Sequence, residues 1–448
     1  MLRLMKIKTL LLIAVLFAVN VCLAANGDVD DFFSSFLKNK ATTFVSNKKI
    51  SKKDVQRTRV EIWNSWRKAV KKHEAFTLAA LDKDTVVSAG KWKLPPELEN
   101  NAVMNFTLFN KGSKPLTGYP LFVYLHGSGP KDKEYAIGLE LTKSFADGPS
   151  AYFVPQIPNE GGYYRWWQRA KVYAWEKLLR LALVSGDYDP DKIYFIGISE
   201  GAYGTQRLCS FFADYLAGGG AMAGGEPLRN APAENFANTA FSLITGDHDA
   251  GFYRNTLTQY TAEAFDALAK RHDSLYIHRV ELIEGRGHSI DYSTTTPWLV
   301  NFTRNPYPKY VSWEDFELDG CYRKGFHNLF VNKRSNTTDN GRTYYEERIE
   351  NDTILLNVDT VAYNTVQKDS VWGIDMKFER KLSPAPHGSV TLFLNRDLVN
   401  LSRTITVVLN GETKFRGKVE ENLASMVNSC VAFGDPRRIY TAQIDVTW

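Results

Sequence analysis

The fold of this chain is decided by one stretch, Lys192-Ile193-Tyr194-Phe195-Ile196-Gly197-Ile198-Ser199-Glu200-Gly201-Ala202. Its first half is an apolar run that predicts a buried strand, and Gly201–Tyr215 has the pattern of a helix. Between them lies a Gly-x-Ser-x-Gly pentapeptide centred on Ser199. A sharp strand-to-helix turn of this kind exposes the serine hydroxyl, and its glycines let the backbone turn tightly. The stretch therefore predicts that Ser199 is a nucleophile; the alternative is a Gly-rich turn whose serine only caps the helix.

The same alternation of strand and helix continues on both sides of this stretch, over about residues 85–305. The apolar runs that predict strands are Leu121–Leu125, Tyr152–Pro155, Ile193–Ile198, Ala240–Thr245 and Tyr276–Ile283, with an additional outer strand at Asn101–Asn110. The helical stretches between them include Gln168–Val184, Gly201–Tyr215 and Leu257–Arg271. Nearly continuous apolar strands separated by helices are typical of a mostly parallel sheet with helices on both faces. The predicted fold class is therefore α/β.

The chain on either side of this segment has a different character. Residues 26–84 predict a helical N-terminal segment, with Ile62, Trp66 and Val70 on one face at helical spacing. Residues 306–448 contain short strand-like runs at Thr353–Val358, Gly388–Leu394, Ile405–Leu409 and Ile439–Val446. Asn410-Gly411 is a hairpin signal. We expect a smaller β-rich C-terminal domain that contributes no catalytic residue.

The N-terminus has the pattern of a signal peptide over residues 1–25. A basic segment precedes the apolar run Leu10–Val19, and Ala24 and Ala25 offer small residues for cleavage. The apolar run is shorter than the roughly 20 residues of a membrane-spanning helix. We therefore expect an exported protein, periplasmic or secreted, without a membrane span in the mature chain. Lipid attachment at Cys22 is less favoured, because Val21 stands where such sites have a small residue.

The composition is that of a folded globular protein, with 44% hydrophobic and 23% charged residues. Removing residues 1–25 removes three Lys and Arg residues and no Asp or Glu, so the formal net charge falls from +5 to +2. A charge this close to balance does not indicate nucleic acid as a partner. In an oxidising compartment Cys321 and Cys430 could pair, whereas Cys209 lies in an apolar helix and is expected to be a buried free thiol.

A second glycine-containing turn, His126-Gly127-Ser128-Gly129, follows the apolar strand at Leu121–Leu125. A loop at this place can bring a backbone N–H into an oxyanion hole, together with the N–H after the nucleophile, here that of Glu200. The predicted oxyanion donors are therefore the N–H groups of Ser128 or Gly129 and of Glu200. The alternative is a tight turn without function.

The general base is expected at His288, in the loop Gly285-Arg286-Gly287-His288-Ser289 after the last strand. The acid is expected in Asp247-His248-Asp249, which follows the strand Ala240–Thr245 and completes the chain order Ser, Asp, His. Both aspartates follow the same strand. A residue further from the strand end has more freedom to turn toward His288, which favours Asp249, with Asp247 as the alternative acid.

Ser199, His288, an aspartate and the His126-Gly127 turn together resemble the α/β-hydrolase superfamily. Within it, the chain is similar to exported esterases and polyhydroxyalkanoate-depolymerase-like serine hydrolases, and more distantly to prolyl-oligopeptidase-type peptidases. The resemblance covers about residues 85–304, while the C-terminal part is only loosely similar to appended β-domains of secreted bacterial hydrolases. It implies an acyl-enzyme mechanism without a cofactor. That family often carries its acid as Gly-x-x-Asp, which again favours Asp249.

An unusual aromatic segment, Tyr163-Tyr164-Arg165-Trp166-Trp167, follows the strand Tyr152–Pro155 and should lie over the same edge of the sheet. Arg165, Trp166 and Trp167 are candidate substrate-binding residues, since aromatic rings stack on sugars or acyl groups and Arg binds carboxylates. The alternative is that the tryptophans pack the next helix.

We expect cleavage of a carboxylic ester, either a small molecule or one linked to a polymer. A peptidase of the prolyl-oligopeptidase type without a propeller is the first alternative, because the N-terminal segment is too short for a propeller. A non-catalytic binding protein is the second. The sequence contains no metal-ligand cluster and no phosphate or dinucleotide loop, and it does not define the oligomeric state.

Overall fold

The computed structural model describes residues 24–26, 28–81 and 86–448. The expected signal segment thus lies almost entirely outside the described residues, as does Cys22. Within the described ranges, no helix combines the length and the apolar character needed to cross a membrane.

The N-terminal segment consists of two helices and two short strands. Their bounds are β1 Ala24–Asn26, α1 Val29–Leu37, β2 Thr43–Val45 and α2 Val55–His73. Strands β1 and β2 pair in parallel. The side chain of Asp28 caps α1 by accepting a hydrogen bond from the Asp30 N–H at 2.7 Å. On α2, the predicted apolar face with Ile62, Trp66 and Val70 is buried.

The central part of the chain is an eight-stranded sheet with helices. Its strands are β3 Val87–Lys93, β4 Val103–Lys111, β5 Tyr119–Leu125, β6 Ser150–Pro155, β7 Tyr188–Ile198, β8 Gly218–Met222, β9 Ala240–Gly246 and β10 His278–Ile283. Its α-helices are α3 Lys131–Ser144, α4 Arg169–Ser185, α5 Glu200–Phe211, α6 Arg254–Ala269 and α7 Thr295–Leu299. Short 3₁₀ turns lie at Gly161–Tyr163, Ala213–Tyr215, Ala233–Phe236 and Gly251–Tyr253.

The strands are arranged in the spatial order β10-β9-β8-β7-β5-β6-β4-β3. The pairs from β10 to β6 are parallel, and β4 and β3 are added antiparallel at one edge. Successive side chains along each strand point to opposite faces of the sheet, and both faces are covered. Leu121 and Val123 lie in an apolar cluster with side chains of α4, α5 and α6, while Phe122 and Tyr124 lie in a second cluster with side chains of α3 and α7. This confirms the predicted α/β fold class with a mostly parallel sheet.

Strand β8 was not predicted, because its sequence Gly218-Gly219-Gly220-Ala221-Met222 lacks the apolar side chains that mark a buried strand. Glycine is needed there for close packing. A Cβ on Gly219 would lie 2.2 Å from the Cys209 Sγ on α5. Helix α5, which begins directly after Ser199, can therefore lie close against β8.

The C-terminal part contains two further sheets. Their strands are β11 Tyr310–Asp315, β12 Gly325–Phe326, β13 Leu329–Lys333, β14 Arg342–Glu350, β15 Thr353–Lys368, β16 Asp375–Pro384, β17 Ser389–Leu394, β18 Ile405–Leu409, β19 Glu412–Gly417 and β20 Ala442–Thr447. One sheet has the order β11-β14-β15-β18-β19 with β16 on β15, and the other has the order β12-β13-β17-β20. Trp313 and Leu356 of the first sheet share one core with Leu392 and Ile444 of the second. The C-terminal part is therefore β-rich, as predicted, with an unpredicted helix α8 at Leu423–Phe433.

Buried ion pairs join the C-terminal part to the central sheet. Arg304 is fully buried, with its guanidinium 2.9 Å from Asp191 on β7 and 2.6 Å from Asp435. Arg438 lies 2.5 Å from Asp214. Although burial opposes ionisation, the surrounding arginines hold the pKa values of Asp214 and Asp435 below their ordinary value. Because these charges lie away from water, Arg304 depends on Asp435 and Asp214 depends on Arg438, in each case across the two parts of the chain.

The cysteines do not form the disulfide that was considered. Cys209, Cys321 and Cys430 are all free, and only Cys321 is partly exposed. Cys430 lies on α8 inside the apolar cluster that α8 forms with α1 and α2, whereas Cys321 packs against the core of the central sheet. The suggested pairing of Cys321 with Cys430 is therefore wrong, because the two thiols belong to different apolar cores. Cys209 is a buried free thiol, as expected.

Candidate active site

Ser199 lies on the turn between β7 and α5. Its backbone has φ 56° and ψ −113°, which is a strained conformation for a residue with a side chain. The turn is held by a hydrogen bond from the Ser199 N–H to the Met222 carbonyl on β8, at 2.9 Å. Gly201 is required at the start of α5, since a Cβ there would lie 1.9 Å from the carbonyl oxygen of Leu125. The turn thus presents the Ser199 hydroxyl at the carboxyl end of the sheet.

The imidazole of His288 lies between Ser199 and an aspartate. Its Nε2 is 3.0 Å from the Ser199 Oγ, and its Nδ1 is 2.7 Å from Oδ2 of Asp249. With a carboxylate at Nδ1, that nitrogen carries the proton and donates it, which leaves Nε2 free to accept from the serine hydroxyl. The His288 side chain is 45% exposed, so solvent can reach the pair.

Asp249 is buried after β9, and Arg254 holds it in place. The Arg254 Nε and Nη2 donate to the two carboxylate oxygens of Asp249 at 2.8 and 2.5 Å. Although burial opposes ionisation, the hydrogen bonds from Arg254 and His288 keep the pKa of Asp249 below its ordinary value. Asp249 is therefore a carboxylate at neutral pH, with its position fixed by a bidentate contact.

Asp247, the alternative acid, lies elsewhere on the same loop. Its Oδ1 accepts a hydrogen bond from the Arg286 N–H at 3.2 Å and lies 3.9 Å from the His248 Nε2. It connects the loop after β9 to the loop after β10, as a residue that braces a turn does. The His288 imidazole has its short carboxylate contact with Asp249 instead.

The turn His126-Gly127-Ser128-Gly129 lies beside Ser199. A Cβ on Gly127 would be 3.5 Å from the Ser199 Cβ. His126 is fully buried; its Nε2 accepts a hydrogen bond from the Ile157 N–H at 3.1 Å, so its Nδ1 donates to the Gly127 carbonyl at 2.8 Å. Burial lowers the pKa of His126 to about 4. His126 is therefore a neutral structural residue that shapes the turn.

A carboxylate that sequence reasoning missed lies against this turn. A Cβ on Gly129 would be 2.5 Å from Oε1 of Glu134, and one on Gly127 would be 3.2 Å from its Oε2. Glu134 is on α3, and burial raises its pKa. Because a single glutamate on a helix has no distinctive sequence pattern, only the three-dimensional packing reveals that Glu134 lies next to the predicted oxyanion loop.

The three candidate substrate-binding residues lie in different environments. Trp166 is fully buried, donates to the His126 carbonyl at 2.9 Å, and packs edge-on against the His126 ring. The expectation that Trp166 contacts a substrate is therefore not retained, since a side chain without exposed surface cannot touch one. Arg165 and Trp167 do face a cleft, and the guanidinium of Arg207 stacks 4.0 Å above the Trp167 ring.

This cleft has a volume of about 660 Å³ and contains Glu200, the residue after Ser199, in its wall. The other walls come from both the central and the C-terminal parts of the chain, as with Phe378 on β16. Tyr253 and Asp369 join the two sides through a hydrogen bond of 2.7 Å, and the rings of Phe252 and Trp372 lie 4.6 Å apart. The hairpin between β15 and β16 therefore forms part of the cleft.

Metal ligands do not gather anywhere in the part of the chain that the structure describes, where no group of three or more His, Cys, Asp and Glu side chains is arranged to hold an ion.

Arg254, which holds the Asp249 carboxylate, was also missed from the sequence. Its position five residues after Asp249 carries no motif, so only the folded loop identifies it.

Comparison with known proteins gives only distant structural similarities. No family model and no curated protein matches the chain. Among solved structures, a thermostable esterase matches at 20% identity and a TM-score of 0.36, with 49% of this chain and 64% of that one covered. A fluorophosphonate-binding serine hydrolase of Staphylococcus aureus matches at 12% identity and a TM-score of 0.37, covering 49% of this chain and 100% of the other. A poly(3-hydroxybutyrate) depolymerase from Bordetella parapertussis matches at 13% identity and a TM-score of 0.35, with 46% of this chain and 85% of that one covered. The chain thus spans less than two thirds of the thermostable esterase, and its fold rests on its own sheet topology.

Proposed function

We propose that this chain is a serine hydrolase that cleaves carboxylic esters through an acyl-enzyme intermediate. The observation that carries the proposal is the continuous chain of hydrogen bonds from Ser199 Oγ to His288 Nε2, at 3.0 Å, and from His288 Nδ1 to Asp249, at 2.7 Å. A nucleophile, a base and an acid within hydrogen-bond distance are the arrangement that nucleophilic acyl transfer requires.

The proposed mechanism has two steps. In the first, Ser199 Oγ attacks the ester carbonyl while His288 Nε2 takes the hydroxyl proton, and the protonated imidazole then gives that proton to the leaving alcohol. In the second, His288 takes a proton from a water molecule as that water attacks the acyl group. The protonated imidazole then returns the proton to Ser199 Oγ as the acyl–serine bond breaks and the acid is released. Asp249 holds the imidazole with its proton on Nδ1 and stabilises the imidazolium. No cofactor enters either step.

The tetrahedral intermediate carries a negative charge on its oxygen. We assign its stabilisation to the backbone N–H of Glu200 and that of Ser128 or Gly129, because both the start of α5 and the turn after β5 adjoin Ser199. The cleft beside Glu200 would hold the acyl or the alcohol group, with a small-molecule or polymer-linked ester as the substrate. Export of the chain, as the pattern of residues 1–25 predicts, is part of the same proposal.

The test is covalent labelling followed by substrate panels. A fluorophosphonate probe should label the wild-type chain at Ser199, and Ser199→Ala should take no label while keeping the circular dichroism spectrum of the wild type. Matched panels of acyl esters and peptide substrates then separate an esterase from a peptidase. A wild-type chain that takes no label would favour a non-catalytic binding protein, and labelling of Ser199→Ala at another serine would move the nucleophile.

A further inference from the structure

The loop that carries the proposed acid contains two strained residues. Phe252 and Tyr253 lie between Asp249 and Arg254, and both have left-handed backbone conformations, with φ of 53° and 58°. Residues with a side chain rarely adopt this conformation, and it persists where surrounding contacts hold it. Contacts to Phe252 and Tyr253 therefore hold the segment that leads directly away from the acid.

Backbone hydrogen bonds connect this segment to Asp249 itself. The Tyr253 N–H donates to the Ala250 carbonyl at 3.0 Å, and the Asn255 N–H donates to the Asp249 carbonyl at 3.1 Å. The chain from Asp249 to Asn255 is thus a closed loop with the strained residues inside it. A change of backbone conformation at Tyr253 would open this loop and shift the Asp249 carboxylate.

Both strained residues are contacted by the tip of the hairpin between β15 and β16, residues 369–374. The Tyr253 hydroxyl donates a hydrogen bond to Asp369 Oδ1 at 2.7 Å, and the rings of Phe252 and Trp372 lie 4.6 Å apart. Asp369 also shapes the tip, because its Oδ2 accepts from the Trp372 N–H at 2.6 Å. One carboxylate thus joins the hairpin tip to the acid loop.

The hairpin is anchored at its base and along its length. Glu314 on β11 is fully buried, and its carboxyl oxygens accept hydrogen bonds from Tyr363 on β15 at 3.0 Å and from Arg380 on β16 at 2.8 Å. Closer to the tip, Lys377 Nζ lies 4.4 Å from the centre of the Tyr260 ring on α6. The hairpin therefore reaches from the β-rich C-terminal part to the central part and gives its tip a fixed position.

We infer that Asp369 and Trp372 are positioning residues for the proposed ester hydrolysis, because they hold the strained segment that orients the Asp249 carboxylate. The β-rich C-terminal part then contributes to the active site without supplying a catalytic residue. The inference rests on the proposed function, which it deepens by making the alignment of the acid depend on a second part of the chain. Because neither residue needs to touch the substrate for this role, the effect belongs to turnover.

The experiment measures kcat and KM on 4-nitrophenyl acetate and the rate of fluorophosphonate labelling. Tyr253→Phe removes only the hydroxyl that donates to Asp369, and Trp372→Ala removes the ring beside Phe252. Neither side chain is buried, so the variants should keep the circular dichroism spectrum of the wild type. In the double variant, kcat and the labelling rate should fall about 10-fold with KM unchanged, because a misplaced catalytic group slows the reaction without weakening binding.

Three comparisons separate positioning of the acid from a general structural role. Lys377→Met is the matched control, since it removes the hairpin contact to Tyr260 away from the acid loop and should leave kcat and labelling unchanged. In the Asp249→Asn background, the double change should lower kcat by less than about twofold, because the acid that the hairpin positions is already absent. Tyr253→Asn should be labelled faster than Tyr253→Ala, because both lack the phenol but asparagine adopts the left-handed conformation more readily.

Four results would overturn the inference and leave the proposed ester hydrolysis standing, because the wild type still takes the label. They are a double variant that is labelled at the wild-type rate, an equal loss in Lys377→Met, a full loss that persists in the Asp249→Asn background, and a loss confined to KM, which would make Trp372 a substrate contact. A wild type that hydrolyses no ester and takes no label overturns the proposed function and the inference together. If the double variant does not fold, equal labelling of Tyr253→Asn and Tyr253→Ala decides against the inference.

Discussion

Replacing Asp249 with Asn tests the proposed acid where the structure is most specific. Asp249 Oδ2 accepts from both His288 and the Arg254 Nε, and Oδ1 accepts from the Arg254 Nη2. An amide has only one acceptor oxygen, so Asn must turn its NH₂ group toward either Arg254 or His288. An NH₂ group at the Oδ1 position faces the Arg254 Nη2 donor, whereas one at the Oδ2 position faces both the Arg254 Nε donor and His288. In the second arrangement the imidazole proton moves to Nε2, so that nitrogen cannot accept from the Ser199 hydroxyl.

We therefore expect Asp249→Asn to lower kcat/KM for an activated ester by about 10³- to 10⁴-fold. This corresponds to about 4 to 5.5 kcal/mol of transition-state stabilisation. The same change leaves the buried guanidinium of Arg254 without its carboxylate, which should lower the free energy of unfolding by about 3 kcal/mol. Kinetics on 4-nitrophenyl acetate, well below the unfolding temperature, and urea denaturation measure the two effects separately.

Two control variants make this test decisive. Asp247→Asn weakens one hydrogen bond from the Arg286 N–H, so we expect activity close to that of the wild type and a stability loss of about 1 kcal/mol. Arg254→Met removes the ion pair but keeps the Asp249 carboxylate at His288. The loss in the free energy of unfolding should therefore be much larger than the loss of transition-state stabilisation calculated from kcat/KM. If Asp249→Asn keeps more than a tenth of the wild-type kcat/KM, or if Asp247→Asn shows the large loss instead, the assignment of Asp249 is refuted.

Four further outcomes are expected. Gly201→Ala should abolish fluorophosphonate labelling, because its Cβ would lie 1.9 Å from the Leu125 carbonyl; a labelled variant would contradict the tight turn. Burial raises the pKa of Glu347 to about 7, from 4.5, so ionisation of this group should lower the stability of the wild type relative to Glu347→Gln as the pH rises from about 4.5 to 7. Glu347→Gln should remove that loss and be more stable at pH 8 by at most about 3 kcal/mol; equal pH profiles of the thermal midpoint would count against this. Arg304→Met should cost about 3 to 5 kcal/mol in urea denaturation, because Asp191 and Asp435 lose a shared partner, and a loss below 1 kcal/mol would contradict the ion network. A chain ending at residue 305 lacks Asp435 and Arg438 and should be less soluble and less heat-stable than the full chain; a truncated chain with the full melting temperature would disprove this dependence.

The elements that the sequence predicted correctly are those whose signal is local. Strands β5, β6 and β9 are continuous apolar runs, and Leu121 and Phe122 show the alternation that a sheet buried on both faces requires. The position of Ser199 between β7 and α5 follows from neighbouring residues in the same way. Strand β8 escaped prediction, since the packing partner of Gly219 is Cys209 on a different element.

What the sequence by itself determined is the α/β fold class, the β-rich C-terminal part and a short list of candidate residues, because periodicity and turn residues are properties of neighbours along the chain. The tertiary structure alone decided how those candidates combine. His288 and Ser199 are 89 residues apart in sequence, and their contact depends on the order of the strands between them. The contact of His288 with Asp249, and the burial of Trp166 beside a cleft-facing Trp167, likewise depend on side-chain direction. Residues of the same type that lie near each other in the sequence differ only in what surrounds them, and packing between distant segments sets those surroundings.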